Sequence, residues 1–107
     1  MRRGLFILIV FAILISTFLV AQQVELKFLH RWPDPINQPF FENVVKDFEA
    51  LNPDIKVNIQ AISNDPFKEK IKIVLGTSEA PDVFFTWPGE FTNRFIRAGR
   101  IMDITDA

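Results

Sequence analysis

Twice between Val24 and Leu75 the apolar residues change from every second position to every third or fourth, and a third time, before Gly99, a short unbroken apolar run gives way to a helical spacing. A period of two belongs to a strand with one buried face, and a mixed spacing of three and four to a helix with an apolar stripe. "VELKFL", Val24 to Leu29, alternates over its first five residues and is rich in β-formers. Trp32-Pro33-Asp34-Pro35 breaks it. Asn37 is placed to cap a helix on which Phe40, Phe41, Val44, Val45, Phe48 and Leu51 form one broad apolar face. Lys46, Asp47 and Glu49 fall on its wet side, and Asn52-Pro53 stops it.

The second cycle repeats the first. "IKVNIQAI", Ile55 to Ile62, alternates, with Ile55, Val57, Ile59 and Ala61 on one face. "SNDP" is a loop in which Asp65 is the expected N-cap and Pro66 the first helical residue. Phe67, Ile71, Val74 and Leu75 form the next stripe, closed at Gly76. In the third cycle "PDVFFTW" carries a strand whose centre, Val83 to Phe85, is apolar on both faces, which suits a strand covered on both sides. "EFTNRFIRAG" is a last helix using Phe91, Phe95 and Ala98, ended by Gly99. Strand and helix alternating in this way predict an α/β fold, βαβαβα, with a parallel sheet. Three strands make a thin sheet with unpaired edges and a small core, so the pattern reads as the first part of a larger unit.

The N-terminus is of a different kind. Arg2 and Arg3 precede Gly4 to Ala21, a run without charge, which is the layout of a secretory signal with a cut after Ala21. Retention as a membrane anchor is the alternative, because the run approaches the roughly 20 residues that span a bilayer. The expected organisation is a signal segment at 1–21 and one α/β unit at 22–107, exported to the periplasm or the cell exterior. The formal charge is −1, which gives no reason to expect a nucleic-acid partner. The chain has no cysteine and one histidine, which excludes disulfides, thiolate catalysis and a cysteine or multi-histidine metal site. No cofactor is expected.

Both tryptophans stand just past an apolar run, and each is followed by proline: "FLHRWPDP" and "FFTWPGEF". In an open parallel sheet, ligands bind beyond the C-terminal strand ends. Parallel first and third strands bring Trp32 and Trp87 to the same edge, together with the "SNDP" loop. An indole offers a flat apolar face to the C–H face of a sugar ring, and Glu90, Asp65, Asn64 and Asn37 offer polar partners to its hydroxyls. Packing or helix capping explains several of these residues equally well: Asp65 before Pro66, Glu90 near a helix start, and a Trp-Pro at a loop. His30 reads as a loop histidine, and Arg94 and Arg97 as residues of a solvated helix face.

"VELKFLHRW", "FENVVKDFEALNPDIKVNIQAI" and "GTSEAPDVFFTWPGEFTNRFIRAGRIMDIT" together resemble the N-terminal part of family 1 extracellular solute-binding proteins. These are the receptors of sugar ABC transporters. The "APDV" segment followed by "F…AGRI…DIT" is the stronger part of the match, and the resemblance runs over essentially the whole chain after the signal. It implies the opening βαβαβα portion of a periplasmic-binding-protein type lobe, with the second lobe, the hinge and the returning strands absent. It also implies a sugar or oligosaccharide ligand held between two lobes and a membrane permease as partner. It places a ligand contact within His30 to Trp32, with Trp32 as the candidate, and others at Asn64, Asp65, Trp87, Gly89 and Glu90, with Asn37 as a further candidate. A one-walled cleft is expected to bind sugar weakly or not at all. Two other functions stand beside this one. The first is a small exported or membrane-tethered α/β interaction module without sugar binding. The second is an exported hydrolase using Asp82 or Glu90 with Asp65, which is disfavoured because Asp82 precedes the third strand, at the end of the sheet opposite Glu90.

Overall fold

The computed structural model describes residues 22–106. The expected signal segment lies outside the described residues. The element order is β1 (Val24–His30), α1 (Gln38–Leu51), β2 (Ile55–Ala61), α2 (Asn64–Val74), β3 (Val83–Phe84) and α3 (Glu90–Arg97). All strands are parallel, in the order β2-β1-β3. Val24 faces Ile55 and His30 faces Ala61 along the first pair, while Phe28 and Leu29 face Val83 and Phe84 along the second. The βαβαβα parallel sheet expected from the periodicity is therefore present.

β1 is central, and the chain leaves it first toward β2 and later toward β3. Right-handed crossovers then put successive helices on opposite faces of the sheet. The contacts agree. Phe28 and His30 meet Phe41 of α1, with ring centroids 5.9 and 4.3 Å apart. Leu29, on the opposite face, joins Phe67, Ile71, Leu75 and Phe95 in the buried core. Phe67 and Ile71 are fully buried, as their helical spacing predicts. Gly99, at φ +65°, ends α3 while the Arg100 N–H donates to the Phe95 carbonyl at 2.9 Å. That is the left-handed closure for which glycine is suited.

Four details differ from expectation. The N-cap of α2 is Ser63, not Asp65, which lies inside the first turn, where its charge still favours the helix dipole. Asn37 holds the N-cap position of α1, but its side chain does not cap the helix. It donates instead to the Asp34 carboxylate at 2.9 and 3.0 Å. The third strand is only two residues long, and Val83 is 53% exposed rather than covered on both sides. The reason lies at its start and above it. The Asp82 carboxylate accepts the Lys27 N–H at 2.7 Å, so a side chain takes the place of one ladder partner. α1 packs mainly over β2, and Val83 borders an open recess beside that helix. Finally, His30 is no loop residue: it ends β1 and is fully buried.

The broad apolar face of α1 is divided. Phe41 and Val45 turn toward the sheet, while Phe40, Val44, Phe48 and Leu51 remain exposed. An apolar recess of about 290 Å³ lies between this helix and the sheet, lined by Leu26, Phe28, Val44, Val45, Phe48, Val57 and Val83.

Candidate functional site

The strand order puts a topological switch point between β1 and β3, since the connections leaving them run to opposite sides. In such sheets the crevice at the C-terminal strand ends is the usual ligand position. The residues that leave β1 there are Arg31 and Trp32, and those that leave β3 are Phe85, Thr86 and Trp87. The first turn of α2 supplies Asn64.

These residues meet around one guanidinium. Its carbon lies 4.9 Å from the Trp32 ring centroid, 5.3 Å from that of Phe85 and 5.5 Å from that of Trp87. All three are within cation–π range. Nη1 of Arg31 donates to Oδ1 of Asn64 at 2.9 Å. Phe85 stands edge-on to both indoles, at 4.7 Å from Trp32 and 4.8 Å from Trp87. Trp87 also packs edge-on against Phe67 and Phe91, which fixes it to α2 and α3. Trp32 stacks on Phe41 at 5.4 Å, which fixes it to α1. Lys68, one turn into α2, sits with its ammonium 5.2 Å from the Trp87 centroid. Both indoles are half-buried, so each is braced on one side and open on another.

Below this rim lies His30. Its Nδ1 accepts the Trp32 N–H at 3.3 Å, which puts the ring proton on Nε2. Nε2 is buried with no acceptor among the described residues. Burial lowers the imidazole pKa below its ordinary value, opposed in part by the negative charge of Glu42. His30 is thus a neutral spacer under Trp32, stacked on Phe41 at 4.3 Å.

Of the residues expected at the site, the structure gathers Trp32, Asn64 and Trp87. Asp65 is exposed beside them and accepts from Asn64 Nδ2 at 3.2 Å. Gly89 is the N-cap of α3 at φ +80°, a conformation that glycine adopts readily. Glu90 pairs with Arg97 along its own helix, and the guanidinium holds its carboxyl below the usual range. Asn37 is engaged with Asp34. Arg94 lies over the Phe91 and Phe95 rings at 4.4 and 5.1 Å rather than on a solvated face. Phe85 and Lys68 were not singled out by sequence reasoning, and Arg31 was placed at this edge only as a neighbour of Trp32. A cation between two strand-exit aromatics is the one signal that would have marked Arg31.

Asp82, Asp65 and Glu90, the acids weighed for hydrolysis, are each engaged with another partner. Asp82 is bound to the β1 backbone at the start of β3, and Glu90 is held ionised by Arg97. A general acid needs the opposite, a raised pKa. Among the described residues no group of three or more His, Asp or Glu side chains is arranged to hold a metal ion. What the rim offers is stacking area, an amide and fixed cations.

A family model described as bacterial extracellular solute-binding protein matches residues 32–107. Among solved structures, a chain from a study of xylan utilization by the thermophilic bacterium Caldanaerobius polysaccharolyticus is 29% identical, with a TM-score of 0.67. The match covers 71% of the present chain and 19% of that one. No curated protein matches.

Proposed function

As the chain belongs to the bacterial extracellular solute-binding proteins, we propose that it serves a carbohydrate ABC importer as its sugar-capturing component. The observation that carries this reading is the convergence of Trp32 and Trp87 on one rim, bridged by Arg31 and Phe85. Two braced indoles provide flat apolar area for sugar C–H faces, and Asn64 provides polar recognition beside them. The xylan context of the similar solved chain supports an oligosaccharide ligand. In this proposal residues 1–21 direct export, and residues 22–107 form one wall of a cleft that a second lobe closes on the sugar. The closed form is then read by a membrane permease. The protein captures and delivers, and no catalytic step is assigned to it.

The test is proton–nitrogen NMR of the purified chain with neutral xylo-oligosaccharides, because it detects even weak binding. The two indole N–H signals are expected to move on titration and to saturate. If neither moves with any of a panel of neutral oligosaccharides, in the chain alone and in the chain joined to a closing second lobe, the sugar-binding reading fails.

A further inference from the structure

Among the described residues Arg31 forms no ion pair, and neither does Lys68. Both cations lie against the same indole, Trp87. Asp65, at the start of the same helix, accepts a hydrogen bond from Asn64 and none from either cation, and Glu69, next to Lys68, pairs with Lys72. Elsewhere Lys27 pairs with Glu79, Lys56 with Glu49, Lys72 with Glu69 and Arg97 with Glu90. The rim therefore carries two positive charges without a direct ion pair at the place where the aromatic surface is concentrated, with Asp65 linked to one of them through Asn64.

The guanidinium is also held in a defined orientation. Nε is buried without an acceptor, and Nη1 has one bond, to Asn64. Nη2 has no protein acceptor among the described residues and is not closed off from solvent. The end of the fork is left to receive a ligand. A planar guanidinium with its end free matches a carboxylate, and the charge makes such a bond stronger than one to a hydroxyl.

Resting on the sugar-binding reading above, we propose that the site prefers an acidic oligosaccharide, one carrying a uronic acid residue. The carboxylate meets Arg31 while neighbouring rings stack on Trp32 or Trp87, and Lys68 adds long-range attraction. A neutral sugar uses the indoles but leaves the two charges unmatched.

Three probes separate the terms: a xylo-oligosaccharide carrying one glucuronic acid, the methyl ester of that acid, and the unsubstituted backbone. The ester keeps the shape and removes the charge. Titrations followed by the indole N–H signals are expected to show the free acid binding about tenfold more tightly than its ester, with the difference shrinking as salt is added. In Arg31→Gln the acid and the ester should bind alike, and in Lys68→Gln the preference should fall only in part. Equal affinity for acid and ester in the unaltered protein overturns this proposal and leaves the sugar-binding reading standing. A preference that survives in Arg31→Gln overturns the assignment to Arg31. If none of the three probes moves either indole signal, in the chain alone and in the chain joined to a closing second lobe, the sugar-binding reading fails and this inference fails with it. The comparison of acid with ester requires no variant, so a poorly folding Arg31→Gln would not obscure the result.

Discussion

Nη1 of Arg31 donates to Oδ1 of Asn64 at 2.9 Å, tying the residue after β1 to the first turn of α2. The two are 33 positions apart in the chain. The bond closes the rim between strand and helix, so it holds the aromatic cluster together as well as presenting the cation.

Removing it should therefore be felt in stability. Asn64→Ala is expected to cost about 1–2 kcal/mol, the scale of a partly buried hydrogen bond with a charged partner. Urea unfolding followed by circular dichroism measures this. An unchanged midpoint would mean that the aromatic contacts alone orient Arg31.

In the chain joined to a second lobe that closes the cleft, Trp87→Ala should weaken binding of neutral sugar by about 1–3 kcal/mol, the scale of burying one large apolar side chain. Trp87 also packs on Phe67, Phe85 and Phe91, so the variant should be less stable as well. Trp87→Phe separates the two effects, since it keeps part of the packing. Affinity unchanged in both variants would make Trp87 a packing residue only.

The pH dependence of folding should carry the mark of His30. Its folded pKa lies below the ordinary imidazole value of 6.5. The unfolded chain then binds more protons than the folded one in this range, so stability rises with pH. The contribution is full above about 6.5 and is lost as the pH falls from there through the folded value. The lowered carboxylates, Glu49 and Asp34 among them, titrate further down. Thermal melts should thus show a lower midpoint at pH 5 than at pH 7.5. His30→Phe should flatten that difference, and a slope that persists in His30→Phe would assign the effect elsewhere.

The outward stripe of α1 should drive self-association. Phe40 is 63% exposed and Leu51 83%, with Val44 and Phe48 between them. Contiguous apolar surface of this kind seeks cover. Phe40→Lys with Leu51→Lys is expected to lower light scattering without lowering the melting temperature. A chain that is already monomeric before substitution would contradict this.

Element order and helix faces were legible because hydrophobic period is a local property. Phe67, Ile71 and Gly99 stand where their spacing puts them. What was not legible depends on partners distant in sequence. Val83 to Phe85 reads as a covered strand, but the strand is cut short because the Asp82 side chain engages Lys27, 55 residues away. The apolar face of α1 reads as one surface, and only its seat over β2 divides Phe41 and Val45 from Phe40 and Val44. Asp65 has the chemistry of a cap, yet Ser63 begins the helix. Asn64 and the two tryptophans could be anticipated from the topology of strand exits. The position of Arg31 at that edge could be too, but its role could not, because it comes from three rings that converge on it from separate segments.

That convergence has an optical consequence. The chain has two tryptophans and no tyrosine. Both indoles belong to one cluster, so nearly all of its intrinsic ultraviolet emission originates at the rim. A guanidinium within 5.5 Å of each ring keeps that emission responsive to charge. The rest of the molecule is dark, and its fluorescence is a native readout of the candidate site.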